Sequence, residues 1–410
     1  MTAIWKNGED KGRGMKASRV YCIVFAALVW ALTYIPTANA AGFSLYEWSA
    51  RANAMGGAVM AINGDPSVVA YNPALMTKLP GTQTEAGFTA IIPSSHLKFS
   101  NGGSDDTIER AYMPPYAYIT TQATDKVWFG MGLYTRFGLG TEYDENWAGA
   151  SNVYKAVIET YSANPNVALK ITDKLSIGFG FEVMYAKADV RQKYLGQPLI
   201  IKTDSVGFGA NAAMHYQFND QWSVGLTYRT SMKHQSQGDV DIKVASISGA
   251  DQKLALTVPA STSLGIGYEP TKDLRLEFDA IYTEWSDYDS LEYSGQIDKT
   301  VTKDWHDVWR VQLGVEYDLT DWMQVRGGLV WDQSPVNDAT TDYMLPTNDR
   351  IMYCLGSGFK LNDSLKLDVS YMYLTMRDRE IPDAHTGVGF DTTATDNHAH
   401  LAGISLTYKF

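Results

Sequence analysis

The chain has very few cysteine residues, so disulfide bonds cannot hold it together. Only 2 of its 410 residues are cysteine, namely Cys22 and Cys354. Cys22 lies in an N-terminal segment that is expected to be removed, which leaves Cys354 without a partner in the same chain. This excludes a small disulfide-dense secreted scaffold.

Basic residues are also scarce, and this limits the partners of the protein. The chain has 34 Lys and Arg against 46 Asp and Glu, for a net charge of −12. Residues 1–40 hold five of the basic residues and two of the acidic ones, so the remainder is more acidic still. Because Lys and Arg are what bind nucleic-acid phosphates, we expect no nucleic-acid partner.

A long hydrophobic run is missing everywhere except near the N-terminus. The run from Val20 to Ile35 follows Lys16 and Arg19 and precedes Ala38-Asn39-Ala40. It is shorter than the roughly 20 residues that a membrane-spanning helix needs. A basic start, a short apolar run and an Ala-x-Ala site predict a secretory signal peptide over residues 1–40.

Two points about this segment stay open. Met15 directly precedes Lys16, so residues 1–14 are either an extension or the result of a start assigned too early. The alternative to a cleaved signal peptide is an anchor helix that stays attached.

What the chain does have is many aromatic residues at a low hydropathy. Its mean hydropathy is −0.21, yet 12% of its residues are aromatic, with 25 Tyr and 11 Trp. A membrane β-barrel combines these properties, because only alternate residues face lipid and aromatic residues mark both interfaces. Apolar and polar residues alternate clearly in Leu175–Tyr185, Leu274–Thr283 and Leu365–Leu374.

Six similar polar turns divide the chain into pairs of strands. They combine Asp or Asn with Thr, Lys, Gln or Ser, and Asp and Asn favour tight turns because they hydrogen-bond to the nearby backbone. The turns are Thr124–Lys126, Thr172–Lys174, Asn219–Gln221, Thr271–Asp273, Thr320–Asp321 and Asn362–Ser364. Six short turns alternating with seven longer loops give fourteen strands. Both ends of the barrel then lie on the short-turn side, which is periplasmic in such proteins.

The expected strands are 82–92, 112–122, 126–137, 157–171, 174–187, 204–218, 221–233, 254–268, 273–285, 306–319, 321–332, 350–361, 364–376 and 397–410. A soluble β-sandwich or propeller is the alternative, but the outward faces of these strands are rich in Tyr, Trp and Leu. The last strand also ends on Phe410 after alternating apolar residues, which resembles the C-terminal signal of outer-membrane barrels. We therefore predict an all-β fold, a 14-stranded antiparallel transmembrane β-barrel over residues 81–410, in the bacterial outer membrane.

Residues 41–80 precede the first expected strand and do not alternate. They are rich in Ala, Gly, Asn and Met and carry few charges beyond Glu47, Arg51 and Asp65. The lumen of a fourteen-stranded barrel is too wide for side chains alone to fill. We therefore predict that this segment is a compact plug, or hatch, inside the lumen.

In several stretches the chain resembles the FadL family of long-chain fatty acid transporters. These stretches occur in the same order as in the family and are Ala41–Glu47, Asn72–Leu75, Phe137–Tyr143, Trp285–Ser286 and Asp332–Val336. The resemblance covers essentially all of residues 41–410. An Asn-Pro-Ala triplet alone says little, whereas the ordered set is fairly specific.

The resemblance implies a monomeric barrel in outer-membrane lipid that binds a long-chain fatty acid or another hydrophobic small molecule. It also implies that the ligand binds first in an outer apolar groove and then in a pocket that touches the N-terminus of the hatch. In that family a kink in strand three opens a gap in the wall, through which the ligand leaves laterally. The corresponding residues are the hatch motif Asn72, Pro73 and Ala74 and the strand-three glycines Gly130, Gly132, Gly138 and Gly140. Glycine permits such a bend, although barrel glycines also simply fit a crowded lumen.

Candidate ligand contacts follow from this picture and from the strand register. Phe43 and Leu45 lie near the N-terminus of the hatch. Residues expected to point into the lumen are Met184, Ile281, Met372 and Leu374. A carboxylate headgroup calls for a cation, and the candidates are Lys187, Arg191 and Arg310, each of which also suits an ordinary ion pair with a neighbouring acid. The third loop, about 188–203, is much shorter than the family's groove-forming loop, which leaves the outer site and the ligand's identity open.

No catalytic or metal-binding arrangement stands out, so we expect neither an enzyme nor a cofactor. His385, His398 and His400 lie close in sequence, but a His-x-His pair without a third ligand is weak evidence for a metal. A channel for aromatic hydrocarbons is the main functional alternative, and a neutral ligand of that kind needs no headgroup cation. A structural or adhesion barrel and an outer-membrane hydrolase are the remaining alternatives.

Overall fold

Fourteen antiparallel strands form one closed barrel, as the turn pattern predicted. The structure is a computed structural model, and it describes residues 42–243 and 247–410. The expected signal peptide, residues 1–40, lies outside the described residues.

Some barrel strands are interrupted and others carry extensions, so there are more β-segments than barrel strands. In chain order the segments are β1 (Thr82–Phe99), β2 (Ser104–Asp106), β3 (Pro115–Gln122), β4 (Val127–Tyr134), β5 (Gly138–Glu142), β6 (Lys155–Lys170), β7 (Leu175–Tyr194), β8 (Gln197–Gln217), β9 (Trp222–Arg229), β10 (Met232–Ile242), β11 (Ile247–Val258), β12 (Ser261–Tyr268), β13 (Leu274–Thr283), β14 (Ser290–Ser294), β15 (Lys299–Thr302), β16 (Val308–Asp318), β17 (Met323–Asp332), β18 (Arg350–Lys360), β19 (Leu365–Met376), β20 (Arg379–Ile381) and β21 (Thr392–Lys409). The third barrel strand consists of β4 and β5, the seventh of β9 and β10, and the eighth of β11 and β12. The helices are α1 (Ala50–Ala54), α2 (Val68–Tyr71) and α3 (Asp383–Thr386), and 3-10 helices span Pro73–Lys78, Trp285–Asp287 and Asp338–Thr340.

Antiparallel pairing passes around the wall and returns to its start. From β1 it runs through β3, β4, β6, β7, β8, β9, β12, β13, β16, β17, β18 and β19 to β21. The last segment pairs with the first from Gln83↔Lys409 to Phe99↔Thr392. Closure removes the sheet edges, whose unpaired backbone groups would be costly in lipid.

The six predicted tight turns are all present, and polar side chains close them. The Asn219 side-chain oxygen accepts hydrogen bonds from the backbone N–H groups of Gln221 (2.9 Å) and Trp222 (3.0 Å). Asn362 does the same for Ser364 and Leu365. This local bonding explains why these residues specify a chain reversal.

Alternation along the strands separates a lipid face from a lumen face. On β7, Phe179 and Phe181 are about half exposed (49% and 50%), whereas Ser176 and Glu182 are buried. Exposed aromatic residues lie near the periplasmic turns (Phe218, Trp222, Trp322 and Tyr408) and again near the opposite ends of the strands (Tyr161, Tyr228, Trp309 and Tyr353). These two levels are the aromatic belts of a membrane barrel. No helix among residues 42–243 and 247–410 is long and apolar enough to cross a membrane.

A charge on this lipid face tests the assignment. We expect Phe181→Arg to cost about 2–4 kcal/mol of folding free energy in a bilayer, because arginine must then be buried in hydrocarbon. The measurement is urea-dependent folding into lipid vesicles, followed by gel mobility. Gln237→Arg is the matched control, since Gln237 is exposed on β10 beyond the aromatic belt. Equal stability of the two variants would contradict the lipid face.

The third loop differs from the expectation, because residues 188–203 are mostly strand. β7 and β8 continue as one long hairpin closed by Leu195 and Gly196, whose φ angles are 51° and 75°. Its inward residues Val190 and Leu199 are buried and pack in one apolar cluster. The sequence prediction ended the strands too early because their outward residues become charged once they leave the membrane.

The N-terminal segment, residues 42–80, lies against the inward faces of strands all around the barrel. Nearly all of its residues from Gly42 to Leu79 are buried. Arg51 donates to Glu316 on β16 (2.9 Å), and the N–H of Val59 donates to Asp279 on β13 (3.1 Å). This placement fits the predicted plug.

Asn72 of the hatch motif connects the N-terminal segment to the barrel wall at β8. The Asn72 side chain caps the 3-10 helix by accepting from the Ala74 N–H (3.1 Å). It also donates to the backbone oxygens of Met60 (2.7 Å) and Met214 on β8 (3.2 Å). A side chain at Gly178 on β7 would collide with the backbone of Ala74, so a wall glycine permits the close contact.

Candidate ligand cavity and wall opening

The third barrel strand is kinked by a β-bulge. Pairing of β4 with β6 ends at Tyr134↔Ser162, and pairing of β5 with β6 resumes at Gly138↔Glu159. One extra residue is therefore accommodated on the third strand. The Thr160 hydroxyl bridges the irregularity, because it accepts from the Phe137 N–H (3.1 Å) and donates to the Phe137 oxygen (2.7 Å). Such bulges bend a strand and redirect its backbone groups.

The leading residues of the N-terminal segment pair with this bulge from inside the barrel. Ser44 and Phe137 form an isolated antiparallel bridge. The Leu45 N–H donates to the Arg136 oxygen (2.8 Å), and the Gly138 N–H donates to the Phe43 oxygen (2.9 Å). The N-terminus thus satisfies backbone groups that the kink turns away from the neighbouring wall strand.

On its other side the kinked strand separates from the second barrel strand. Pairing of β3 with β4 reaches outward to Ala117↔Leu133. Beyond this point the chain between β2 and β3 bends back to β1 through an Ile91↔Tyr112 bridge. It meets the third strand again where the Ile108 N–H donates to the Glu142 oxygen (2.7 Å). The space between these limits is an opening in the barrel wall, which we call the wall opening.

A cavity of about 480 Å³ runs from the lumen into the wall opening. Small-molecule sites range from roughly 300 to 1,000 Å³, so a substantial ligand fits. Apolar residues at its inner end are Phe43, Leu45, Ile91, Leu345, Leu374, Met376 and Ala399. Apolar residues at its outer end are Ile108, Met113 and Tyr161, all well exposed on the outer surface. The cavity therefore connects buried apolar residues with apolar residues on the outer surface of the barrel.

At the inner end of the cavity, Phe43 packs in a cage of three further aromatic rings. The Phe43 ring lies 4.8 Å from the Trp285 ring and 5.7 Å from the Tyr288 ring, both edge-on, and 5.8 Å from the Trp305 ring. Gly42 packs closely against the Trp285 and Trp305 rings, because a Cβ at this position would lie 2.8 Å from each ring. A smaller cavity of about 30 Å³ adjoins the cage and shares Phe43 as a lining residue.

Arg350 is the charged residue that lines the inner end. Its Nη2 donates to the Gly42 oxygen (3.0 Å). Its Nε lies 3.6 Å from the Asp332 carboxylate and has no hydrogen-bond partner among the described residues. Arg350 thus contacts the very start of the described N-terminal segment.

The outer end of the cavity is bordered by ion pairs. Glu142 lies 3.2 Å from Arg110 and 3.4 Å from Lys155. The Tyr112 hydroxyl donates to Glu142 (3.3 Å).

The predicted ligand contacts divide into two groups. Phe43, Leu45 and Leu374 line the cavity. Met184, Met372 and Ile281 are buried on lumen faces, as the register predicted, but they pack within apolar clusters next to the cavity or against the N-terminal segment. Their roles in ligand binding stay predictions.

The predicted cations lie away from the cavity. Arg310 is buried, pairs with Asp332 (3.1 Å) and lies over the Tyr46 ring (4.6 Å). Arg191 forms two hydrogen bonds with Asp189 (2.8 and 2.7 Å). Lys187 is exposed on the outward face of β7 beside the Tyr185 ring, because it lies an odd number of positions, three, after the inward Met184. The placement of Lys187 beside a lumen ligand was therefore wrong.

The strand-three glycines also divide into two pairs. Gly138 and Gly140 line the cavity. A Cβ at Gly130 would collide with Met76 of the N-terminal segment, and a Cβ at Gly132 would crowd Tyr118 and Tyr134. Of these four glycines, only Gly138 and Gly140 border the wall opening.

Sequence reasoning missed Arg350, Tyr112 and the role of Trp305. The register offered a signal for Arg350, because it shares a face of β18 with the inward residues Met352 and Cys354. Tyr112 and Trp305 lie in irregular segments, where alternation gives no orientation. Their positions depend on contacts distant in sequence.

The histidine cluster does not assemble into a metal site. No group of three or more His, Cys, Asp or Glu side chains that could hold a metal ion occurs in the described ranges. His400 lies on the outward face of β21 within 2.7 Å of the Tyr371 hydroxyl, and His385 contacts Thr341 (3.1 Å) in a loop.

The barrel and its cavity together define the class of the protein. It is an outer-membrane β-barrel with a cavity lined by Phe43, Leu45 and Leu374. The family model described as "Outer membrane protein transport protein (OMPP1/FadL/TodX)" matches residues 32–410. The chain belongs to this family.

Individual relatives support this assignment over nearly the whole chain. Outer membrane protein P1 of Haemophilus influenzae is 29% identical, covering 91% of this chain and 96% of the relative. The long-chain fatty acid transport protein of Escherichia coli K12 is 24% identical, and the match covers 94% of this chain and 98% of the relative.

Solved structures show the same fold. A Pseudomonas aeruginosa FadL homologue superposes with a TM-score of 0.80 at 19% identity, covering 90% of this chain and all of that chain. The Pseudomonas putida toluene transporter TodX gives a TM-score of 0.71 at 16% identity, and the match covers 89% of this chain and 99% of that chain.

Proposed function

We propose that this protein carries hydrophobic molecules, with long-chain fatty acids as the first candidate, through the wall opening into the outer membrane. The observation that carries the proposal is the cavity that joins Phe43 in the lumen to Tyr161 on the lipid face. An acyl chain gains about 0.8 kcal/mol per buried CH₂, so it prefers this apolar route to a water-filled pore. Each chain has its own cavity and acts as a monomer.

We infer that the leading residues 42–45 move and that the rest of the N-terminal segment stays in place. The rest is held by buried groups, such as Arg51 on Glu316, the Ile62 N–H on Glu277 (2.9 Å) and the Trp48 indole N–H on the Thr135 oxygen (2.7 Å). Residues 43–45, in contrast, are held to the bulge by two backbone hydrogen bonds. Release of these bonds frees the inner edge of the wall opening, and the ligand then leaves sideways without opening an aqueous channel.

Uptake of aromatic hydrocarbons is the second candidate. It is favoured by the aromatic cage around Phe43 and by the structural similarity to a toluene transporter. Uptake of labelled oleate and of labelled toluene by cells that lack their own transporters separates the candidates. Uptake of neither compound by cells expressing the protein would contradict the proposed function.

A side chain at Gly140 should obstruct the wall opening. Its Cβ would collide with the Tyr112 ring, so Gly140→Leu pushes this ring and the new side chain into the path. We expect uptake to be roughly tenfold slower and barrel assembly to be normal, because the substitution obstructs the wall opening and leaves the fold intact.

The matched control is Gly327→Leu. A Cβ at Gly327 has its nearest neighbour at 3.6 Å, and this position faces outward on β17. Uptake by this variant should equal that of the wild type. Unchanged uptake by Gly140→Leu, measured in the same cells and at equal expression, would argue against exit through this opening.

A further inference from the structure

A buried acid in the lumen, Glu182 on β7, binds two arginines that come from two other wall strands. Its Oε2 accepts from Arg136 Nη1 (3.0 Å) and from Arg229 Nη1 (3.2 Å). All three side chains are buried. Because a buried charge is costly unless it is paired, Glu182 is the acid that allows both arginines to lie inside the barrel.

Each arginine lies where its own wall strand is interrupted. Arg136 is in the bulge between β4 and β5, and Arg229 ends β9 just before the break that precedes β10. Glu182 itself lies on a regular strand, because β7 pairs with β8 without a break along its whole length. Glu182 therefore connects two irregular strands to a regular strand between them.

Further hydrogen bonds hold the bulge from inside the barrel. Arg229 Nη1 also donates to the Tyr134 hydroxyl at the end of β4 (2.9 Å). The Trp48 indole N–H donates to the Thr135 oxygen in the bulge (2.7 Å). None of these groups belongs to residues 42–45, so they stay in place when those leading residues move.

The bulge brings two consecutive residues, Arg136 and Phe137, to the inside of the barrel. Both side chains are buried, and the Phe137 ring lies 6.2 Å from the Trp285 ring. In a regular strand, successive side chains point to opposite faces. An unbent third strand that keeps Phe137 inside would therefore turn Arg136 toward lipid.

The kink leaves polar backbone groups in the wall without partners on the second strand. Regular pairing with the second strand stops at Leu133, and the next contact is the bond from the Ile108 N–H to the Glu142 oxygen. Unpaired backbone groups are costly in a lipid-facing wall, so an unbent strand is favoured unless a contact opposes it. Residues 43–45 satisfy part of these groups, but the proposed function requires these residues to leave.

We propose that Glu182 is the positioning residue that keeps the third strand kinked, because it holds Arg136 inside the barrel. The proposal rests on the proposed function and explains how the wall opening persists while residues 42–45 are away from the bulge. Turning Arg136 outward would break its buried pair with Glu182 and place its charge in lipid, which disfavours the unbent strand. The wall opening is then a permanent feature of this barrel.

The experiment measures the width of the wall opening by pulsed electron paramagnetic resonance, on the full protein in lipid nanodiscs without ligand. Spin labels are attached after Met113→Cys and Tyr161→Cys, because both positions are exposed and border the outer end of the cavity. We expect Arg136→Met to shorten the distance between the labels by one strand spacing, about 5 Å, because the third strand returns to the second strand. Oleate uptake by cells that produce Arg136→Met without the labels should be roughly tenfold slower or more. A sample with only the buried Cys354 gives the background signal.

Two further variants separate the ion pair from the mere presence of a side chain. Arg136→Met leaves Glu182 paired with Arg229, so we expect normal barrel assembly, checked by gel mobility. Glu182→Gln removes the shared acid and should shorten the label distance in the same direction. Arg136→Lys keeps a cation for Glu182 and should keep most of the wild-type distance, which a packing role alone would not predict.

Glu85→Gln is the matched control for the label distance. Glu85 on β1 is also a buried acid, and it accepts from the Ser49 hydroxyl (3.0 Å) and the Ser67 N–H (3.2 Å) of the N-terminal segment and not from the bulge. The label distance in this variant should equal that of the wild type.

The outcomes distinguish this inference from the proposed function. An unchanged label distance in an assembled Arg136→Met barrel would overturn the role of Glu182 and leave uptake standing. The role would also be overturned if Arg136→Lys shortened the distance as much as Arg136→Met. If cells producing the wild type took up neither oleate nor toluene, the proposed function would fall, whereas the label distances would still decide whether Glu182 holds the kink.

Discussion

A disulfide between positions 44 and 137 is expected to reduce uptake roughly tenfold or more, and a reductant should restore uptake. The disulfide covalently fixes the N-terminal segment to the third strand beside the wall opening, so the segment cannot move. Ser44 and Phe137 form an antiparallel bridge, and the flanking bonds from Leu45 to Arg136 and from Gly138 to Phe43 make it a non-hydrogen-bonded pair. The Cα atoms of such pairs are about 4.5 Å apart, which lies within the disulfide range. The double variant Ser44→Cys with Phe137→Cys can therefore cross-link without moving the backbone.

The measurement is oleate uptake in cells before and after treatment with a permeant reductant. The single variants Ser44→Cys and Phe137→Cys are the controls for lost side-chain contacts, and neither should respond to the reductant. Cys354 is buried on β18 and is present in every sample alike. Full uptake by the oxidised double variant would show that the N-terminus does not need to leave the bulge.

Replacement of Arg51 is expected to open the barrel to water. The Arg51 side chain is 2% exposed and donates to Glu316 through Nε at 2.9 Å. Loss of a buried hydrogen bond between charged groups costs about 1.5–3 kcal/mol. Glu316 keeps Arg326 at 2.6 Å and Arg275 at 3.1 Å, so the wall stays neutralised and the loss falls on the docking of the N-terminal segment.

A loss of about 3 kcal/mol makes the undocked state roughly 100-fold more populated. In a planar bilayer, Arg51→Ala should therefore show frequent large conductance events, and cells that produce it should become sensitive to large polar antibiotics. Lys170→Ala is the control, because Lys170 forms a solvent-exposed pair with Asp173 and such pairs contribute at most about 1 kcal/mol. A closed Arg51→Ala barrel would mean that the remaining contacts hold the segment unaided.

The barrel was predictable because its signals are local and repeated. Each tight turn carries its own capping side chain, such as Asn219 or Asn362. The faces follow from period-two alternation, which placed Met184, Ile281 and Met372 in the interior. Strand ends were less predictable, since β7 and β8 continue into water, where outward residues become polar and the contrast between faces fades.

The cavity was only partly predictable. Phe43, Leu45 and Leu374 line it as expected, and Gly138 and Gly140 border the wall opening. The bulge itself has no sequence signal, because its extra residue is recognised only against the register of β6. The headgroup candidates were chosen by charge alone. Whether a buried arginine can bind a ligand depends on whether the fold places an acidic side chain next to it. Arg310 meets Asp332, whereas Arg350 meets a peptide oxygen.

The seam between β1 and β21 sets an order of events during biogenesis. It joins the first wall segment to the last one, from Gln83↔Lys409 to Phe99↔Thr392. Once this seam is sealed, the barrel wall surrounds groups such as Arg51 and Asn72, and the chain that carries them can then enter only through an open end of the barrel. We therefore expect the N-terminal segment to dock before the seam closes, against a sheet that is curved but still open. A defect in the final strand would then expose this segment to periplasmic proteases.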